Sequence, residues 1–190
     1  HQTSGGSQNS SRGLRLYVIG GRHRSLTLKS TGYYSFTNKK WFCGPELVEN
    51  RGSHGCCTVA SSEPGQDQAH IYAISGGGLR TNLTSCERLN LKANTDTDGQ
   101  NGDVWTLVEP MNKIPKHALA VCSNDSGCIF ALGGWAEGKE NVSDFEFYDP
   151  RLARWKELPS FDVPRRLLGA AATSSYVYAF GGCIDNSNHL

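Results

Sequence analysis

Ile129-Phe130-Ala131-Leu132-Gly133-Gly134 is the stretch that decides the fold, because the chain repeats it. Leu16-Tyr17-Val18-Ile19-Gly20-Gly21 and Val177-Tyr178-Ala179-Phe180-Gly181-Gly182 carry the same order of aliphatic, aromatic and apolar residues running into paired glycines. Ile71-Tyr72-Ala73-Ile74-Ser75-Gly76 is a further copy in which Ser75 stands in the first glycine's place. A short apolar run ended by Gly-Gly predicts a strand buried on both faces, then a turn needing positive φ or close backbone approach. Gly133 and Gly181 are 48 positions apart, and the two earlier intervals between copies are 55 and 58.

Working outward, a second pattern follows the first three runs. Tyr34 precedes Trp41 by seven positions, and Tyr148 precedes Trp155 by seven, with turn-forming residues between. Each pair predicts a hairpin with an aromatic on either arm. The middle copy keeps the frame with Leu89 in the tyrosine place and Trp105 beyond a polar insert over residues 93–102. Ten positions after Trp41 and Trp155 come Arg51 and Arg165, and Lys116 follows Trp105 one position late. Each basic residue precedes a small-residue strand, opened by Gly55, Ala120 or Gly169. Because the glycine pairs, tyrosines and tryptophans recur in every copy, packing explains them better than ligand binding, and they are expected in the core and between sheets.

Composition fits many short strands joined by turns: 22 Gly and 7 Pro, with one Met, in 190 residues. Nineteen Lys and Arg against 18 Asp and Glu leave a net charge of +1, so neither nucleic acid nor an anionic membrane is expected as partner. No 18-residue apolar run exists to span a bilayer. Seven cysteines are an odd number and too few for a disulfide scaffold, which points to a reducing, cytoplasmic setting. Cys122 and Cys128 flank a polar turn; buried thiols are the simpler reading, with a cross-hairpin disulfide as the alternative. Sequons at Asn9, Asn82, Asn124 and Asn141 would permit glycosylation in a secreted chain.

Apolar run, Gly-Gly, Tyr, Trp and a basic residue, recurring in register from Leu16 to Gly182, resemble the kelch repeat, whose unit is about 50 residues. The resemblance implies an all-β fold, a kelch-type β-propeller in which each blade is a four-stranded antiparallel sheet. Counting strands from the first glycine pair gives strands two to four of one blade, two full blades, and strands one and two of another. That is about three blades, an incomplete propeller. The organisation expected is a disordered segment over residues 1–12, then a partial propeller over residues 13–190, with repeats near 14–50, 51–110, 111–160 and 161–190. Apolar residues of the first and last blades, Val18, Ile19, Ala179 and Phe180, are expected to lack cover, which makes the chain prone to self-association. The insert over residues 93–102 is expected to be mobile and dispensable.

Function is expected in loops, which differ between blades while repeat positions are fixed by packing. The loops joining strands two and three and the connections between blades emerge on one face. That face gathers Arg22, His23, Arg24, Arg51, Arg80, Lys116, Trp135, Arg165 and Arg166 as candidate partner-binding residues. Arginine offers forked donors to carboxylates and Trp an amphipathic anchor, so an acidic peptide or substrate protein is the expected partner. Arg51, Lys116 and Arg165 read equally well as structural residues fixed by the repeat. Catalysis finds no motif: His23, His54, His70, His117 and His189 occupy unrelated repeat positions and are expected at the surface or in turns. No enzyme activity, metal or cofactor is expected. The resemblance implies a protein-interaction module, the substrate-recognition segment of a cullin-RING ubiquitin ligase adaptor, with BTB and BACK domains, absent here, contacting the cullin. An actin-binding kelch scaffold and a secreted or enzymatic propeller of the galactose-oxidase-like type are the alternatives.

Overall fold

The computed structural model describes residues 13–60, 69–91, 103–112 and 114–184. The expectations placed on residues 1–12 and 93–102 lie outside the described residues. Eighteen strands and no helix occur among the described residues.

Four antiparallel sheets carry the fold. The first holds β1 (Arg15–Ile19), β4 (Thr31–Ser35) and β5 (Lys40–Cys43). The second holds β6 (Gly55–Ala60), β7 (Ala69–Ile74), β8 (Cys86–Asn90) and β9 (Trp105–Val108) in sequence order. The third repeats that order with β11 (Ala120–Ser123), β12 (Ile129–Leu132), β15 (Phe145–Asp149) and β16 (Arg154–Leu158). The fourth is β17 (Gly169–Ala172) paired with β18 (Val177–Phe180). Strand numbers of three, four, four and two match the sequence count. The aromatic hairpins are in the expected register, with Tyr34 opposite Trp41, Leu89 opposite Trp105 and Tyr148 opposite Trp155.

Alternation along a strand sends neighbouring residues to opposite faces, and each face meets a different sheet. Tyr17 and Ile19 of β1 pack with Leu47, Ile71, Leu89 and Trp105, joining the first sheet to the second. Tyr72 and Ile74 of β7 pack with Tyr148 and Trp155, joining the second to the third. Phe130 and Leu132 of β12 pack with Leu168, Ala170 and Val177, joining the third to the fourth. The two inner sheets therefore bury their apolar strands, as β7 and β12 show. Burial on both faces fails at the ends. In β1, Leu16 and Val18 are each 53% exposed, and in β18 Phe180 is 57% exposed. Trp41, expected in the core, is 55% exposed, because it points away from the second sheet and no further sheet covers it among the described residues. Ile19 departs from expectation in the other sense, since it sits in the first intersheet core.

The glycine pairs turn the chain where the sheets are stitched together. The second glycine's amide donates to the carbonyl of the next basic residue three times: Gly21 to Arg51, Gly76 to Lys116 and Gly134 to Arg165, at 2.8, 2.9 and 2.9 Å. The first position has φ near +60° in Gly20, Ser75 and Gly133. A Cβ there would stand 2.6 Å from Arg51 O at Gly20 and 2.5 Å from Arg165 O at Gly133. Ser75 fills this place because its Oγ donates to the equivalent carbonyl, Lys116 O, at 2.6 Å, converting a clash into a hydrogen bond. Beside these turns Ala118 donates to Ser53 O and Leu167 to Ala118 O, a backbone ladder running from sheet to sheet through three left-handed residues.

Candidate functional site

The basic residues divide by burial. Arg51 is fully buried, and its Nε and Nη2 donate to Glu87 Oε1 at 3.0 and 2.7 Å while Nη1 donates to Ser75 O at 2.7 Å. Glu87 also accepts the amides of Val48 and Glu49, so one carboxylate holds both the guanidinium and the connection between the first two sheets. Lys116 repeats the device one sheet on: buried, it lies 3.3 Å from Glu146 and 3.6 Å from Asp144, and Glu146 accepts the amide of Asn112. Arg51 and Lys116 are accordingly removed from the partner-binding set, since a charge sealed against a buried carboxylate offers nothing to a partner. Arg165 is half-buried and donates to Gly181 O, the counterpart of the Arg51 to Ser75 contact, which makes it structural as well. Sequence reasoning missed Glu87 and Glu146. Each lies two positions before the residue that faces a tryptophan, a signal that appears once the repeats are aligned.

Arg22, His23, Arg24 and Arg80 are exposed, and Trp135 and Arg166 are half-buried. Arg22 and His23 form β2 (Arg22–His23), paired with β3 (Leu26–Thr27). Trp135 belongs to β13 (Trp135–Ala136), which pairs on one edge with β10 (Lys116–His117) and on the other with β14 (Glu140–Asn141). These small sheets continue the turns beyond the glycine pairs, so residues of different blades meet on one face. The Arg22 side chain crosses Gly52 and reaches Gly77: a Cβ at Gly52 would lie 2.8 Å from Arg22 Cγ, and one at Gly77 would lie 3.2 Å from Arg22 Nη2. Glycine at position 52 is what lets the arginine lie flat toward the second and third sheets.

His117 is where these groups converge. Its Nδ1 stands 2.9 Å from Asn82 Oδ1, and its ring lies 5.1 Å from that of Trp135. Burial lowers the His117 pKa from its ordinary value, and the positive charges of Arg22 and Arg166 lower it further. Arg166 Nη1 donates to Asn141 Oδ1 at 2.7 Å, and Asn141 Nδ2 donates to the carbonyls of Cys183 and Ile184. The site is thus Arg22, His117, Trp135 and Arg166, from loops and interblade connections, tied by Asn82 and Asn141. His117 and the two asparagines were not foreseen as its members. Both asparagines belong to sequons, and their amides are engaged inside this network.

His70 departs from the surface or turn placement expected, since it is half-buried within β7, while His54 is half-buried in the bend before β6. Burial, with the nearby charge of Arg51 adding to it, pushes the His54 imidazole down to about 4. An unfolded histidine takes its proton near pH 6.5, whereas folded His54 refuses it until about 4. The unfolded state therefore binds more protons in that window, and stability falls as the pH drops through it. Its contribution is on the order of 3 kcal/mol. Urea unfolding between pH 7 and pH 4 is expected to show a steeper loss for the parent than for His54→Gln; equal slopes would contradict the assignment.

All seven cysteines are free thiols. Burial pushes Cys86 up to about 12 and raises Cys57 as well, so neither supplies a thiolate nucleophile near neutral pH. Among the described residues no group of three or more His, Cys, Asp or Glu side chains is placed to hold a metal ion.

Antiparallel sheets of up to four strands, packed in series and joined through glycine turns, define a β-propeller segment. The Kelch motif family model matches residues 117–161, the third sheet and its loops. That stretch is a kelch repeat, and the chain is similar to kelch-repeat proteins. It is 25% identical over 193 residues to N-(sulfonatooxy)prop-2-enimidothioate sulfolyase of Thlaspi arvense, covering 91% of this chain and 53% of that protein. It is 27% identical over 122 residues to Kelch-like protein 13 of Homo sapiens, covering 61% and 17%. Kelch-like protein 41b of Danio rerio is 26% identical over 120 residues, covering 62% and 18%. The chain spans about half the length of the first of these relatives and less than a fifth of the other two. Kelch repeats generally bind protein partners, and the relationship supports a protein-interaction module.

Proposed function

We propose that this chain recognises an acidic segment of a partner protein on its loop face, as the substrate-recognition part of a cytoplasmic cullin-RING ubiquitin ligase adaptor. The observation that carries the reading is a run of contacts on one face: Arg22 laid against Gly77, His117 on Asn82 and Trp135, and Arg166 on Asn141, the strand partner of Trp135. Two guanidiniums with an aromatic anchor suit carboxylates on a peptide that also offers an apolar side chain. In this reading the chain binds and does no chemistry. The Kelch-like relatives support the kelch-adaptor setting; the cullin contact would belong to BTB and BACK domains outside this sequence. Replacing Arg22, Arg24 and Arg80 together by Ala is expected to weaken capture of fluorescein-labelled Asp/Glu-rich peptides at least tenfold. Exposed loop charges usually alter stability by under about 0.5 kcal/mol, so unfolding should stay unchanged. Equal affinity of triple variant and parent, measured by anisotropy at low and physiological ionic strength, removes the face from consideration.

A second reading rests on coverage, since the relative matched along 91% of this chain carries the name of a sulfolyase. The same cationic cluster suits a small sulfate ester. Release of sulfate from N-(sulfonatooxy)prop-2-enimidothioate by this chain would favour that reading over peptide recognition.

A further inference from the structure

We propose that His117 Nε2 is the hydrogen-bond acceptor of the loop face, so that this face selects acidic segments that place a Ser or Thr hydroxyl beside a carboxylate, with Asn82 as the residue that positions the ring. The inference rests on the acidic-peptide reading and adds to it a requirement for a neutral donor.

The placement starts at Gly77. A Cβ there would stand 3.2 Å from Arg22 Nη2 and 3.8 Å from Asn82 Oδ1. One guanidinium and one amide oxygen therefore border the same small space, which the missing side chain leaves open. Asn82 is held at its backbone, where it bridges to Gly77. Its Oδ1 stands 2.9 Å from His117 Nδ1. An amide oxygen only accepts, so Nδ1 carries the hydrogen. The guanidinium on the same side favours this orientation of the amide, since it attracts the oxygen and would repel the NH2 end.

A hydrogen fixed on Nδ1 decides what the other ring nitrogen can do. Burial and the charges of Arg22 and Arg166 hold the His117 pKa below its ordinary value, so the ring is neutral at pH 7.5. Nε2 of a neutral ring protonated at Nδ1 is a lone-pair acceptor. It has no hydrogen-bond partner among the described residues, and it is not one of the side-chain atoms sealed from solvent without one. The Trp135 ring, 5.1 Å away, and the pairing of β10 with β13 hold the imidazole in place. The face thus offers two guanidiniums for carboxylates and one acceptor that a carboxylate cannot answer. The answering group must donate without a positive charge, because Arg22 and Arg166 disfavour Lys or Arg beside them. Backbone N–H groups occur in every peptide and discriminate nothing. A side-chain hydroxyl next to an acid meets both conditions.

The test uses the 190-residue chain at pH 7.5 and two fluorescein-labelled peptides. One is Asp/Glu-rich with Thr at alternate positions, and its twin carries Val at each of those positions, so the pair differs in hydroxyls at matched side-chain shape. Anisotropy is expected to show the Thr peptide bound about fivefold more tightly, the size of one net hydrogen bond. Asn82→Leu and His117→Phe are each expected to abolish that preference while holding the affinity for the Val peptide within about twofold, since Arg22 and Arg166 are untouched. Imidazole nitrogen NMR spectra give a readout that peptide binding does not enter. The parent is expected to show Nδ1–H and a bare Nε2 at His117, and Asn82→Leu a shift of the hydrogen toward Nε2. Equal binding of the two peptides by the parent, a preference that survives either substitution, or an Nε2–H ring in the parent would overturn the inference, while the acidic-peptide reading would stand as long as both peptides bind. Binding of neither peptide would remove that reading and this inference with it.

Discussion

Glu87→Ala is expected to lower the unfolding free energy by about 3–5 kcal/mol, the usual cost of removing one partner from a buried ion pair. The carboxylate is fully buried, and the change strands three kinds of group together: the Arg51 guanidinium, also fully buried, and the amides of Val48 and Glu49. Net domain stability is only about 5–15 kcal/mol, so the variant is expected to retain little or no cooperative transition in urea. Two further variants separate charge burial from lost packing. Arg51→Met in the Glu87→Ala background removes the stranded charge and should recover part of the loss, though the Ser75 and Ser85 carbonyls then lose a donor. Glu146→Ala should cost less than Glu87→Ala, because Lys116 keeps Asp144 at 3.6 Å. A loss below about 1 kcal/mol for Glu87→Ala would show that water reaches Arg51, and the account of the junction would fail.

The same pair shows how far the sequence could be read. Arg51 and Lys116 were visible as repeat-fixed cations, but a cation on an interblade connection looks identical whether it faces a partner or a buried carboxylate. Only the register of β8 and β15, which sets Glu87 and Glu146 beneath the connections, separates the two. Blade boundaries were legible because Gly-Gly is demanded by backbone geometry, and Ser75 remains readable as a copy because its hydroxyl satisfies the carbonyl that would otherwise clash. The functional cluster was legible by face and not by contact. His117 follows Lys116 directly and carried no signal of its own. It is brought beside Trp135 by the pairing of β10 with β13, an adjacency that spans 18 positions of sequence and a kinked turn.

Trp155→Ala is expected to cost about 3–5 kcal/mol, the range for truncating a large buried aromatic, whereas Trp41→Ala should stay within about 0.5 kcal/mol. Both tryptophans occupy the same repeat position opposite a tyrosine, so propensity and local pairing are held constant. What differs is cover. Trp155 is 3% exposed against the second sheet and donates its indole N–H to Glu109 O at 2.9 Å, while Trp41 is 55% exposed. Trp105 supplies an internal control, being 5% exposed but with an indole N–H that has no partner among the described residues. Trp105→Phe should therefore cost less than Trp155→Phe, which also discards a hydrogen bond worth about 1 kcal/mol. Equal losses at positions 41 and 155 would mean that the first sheet's outer face is covered within the single chain, and the open-ended stack of sheets would be wrong.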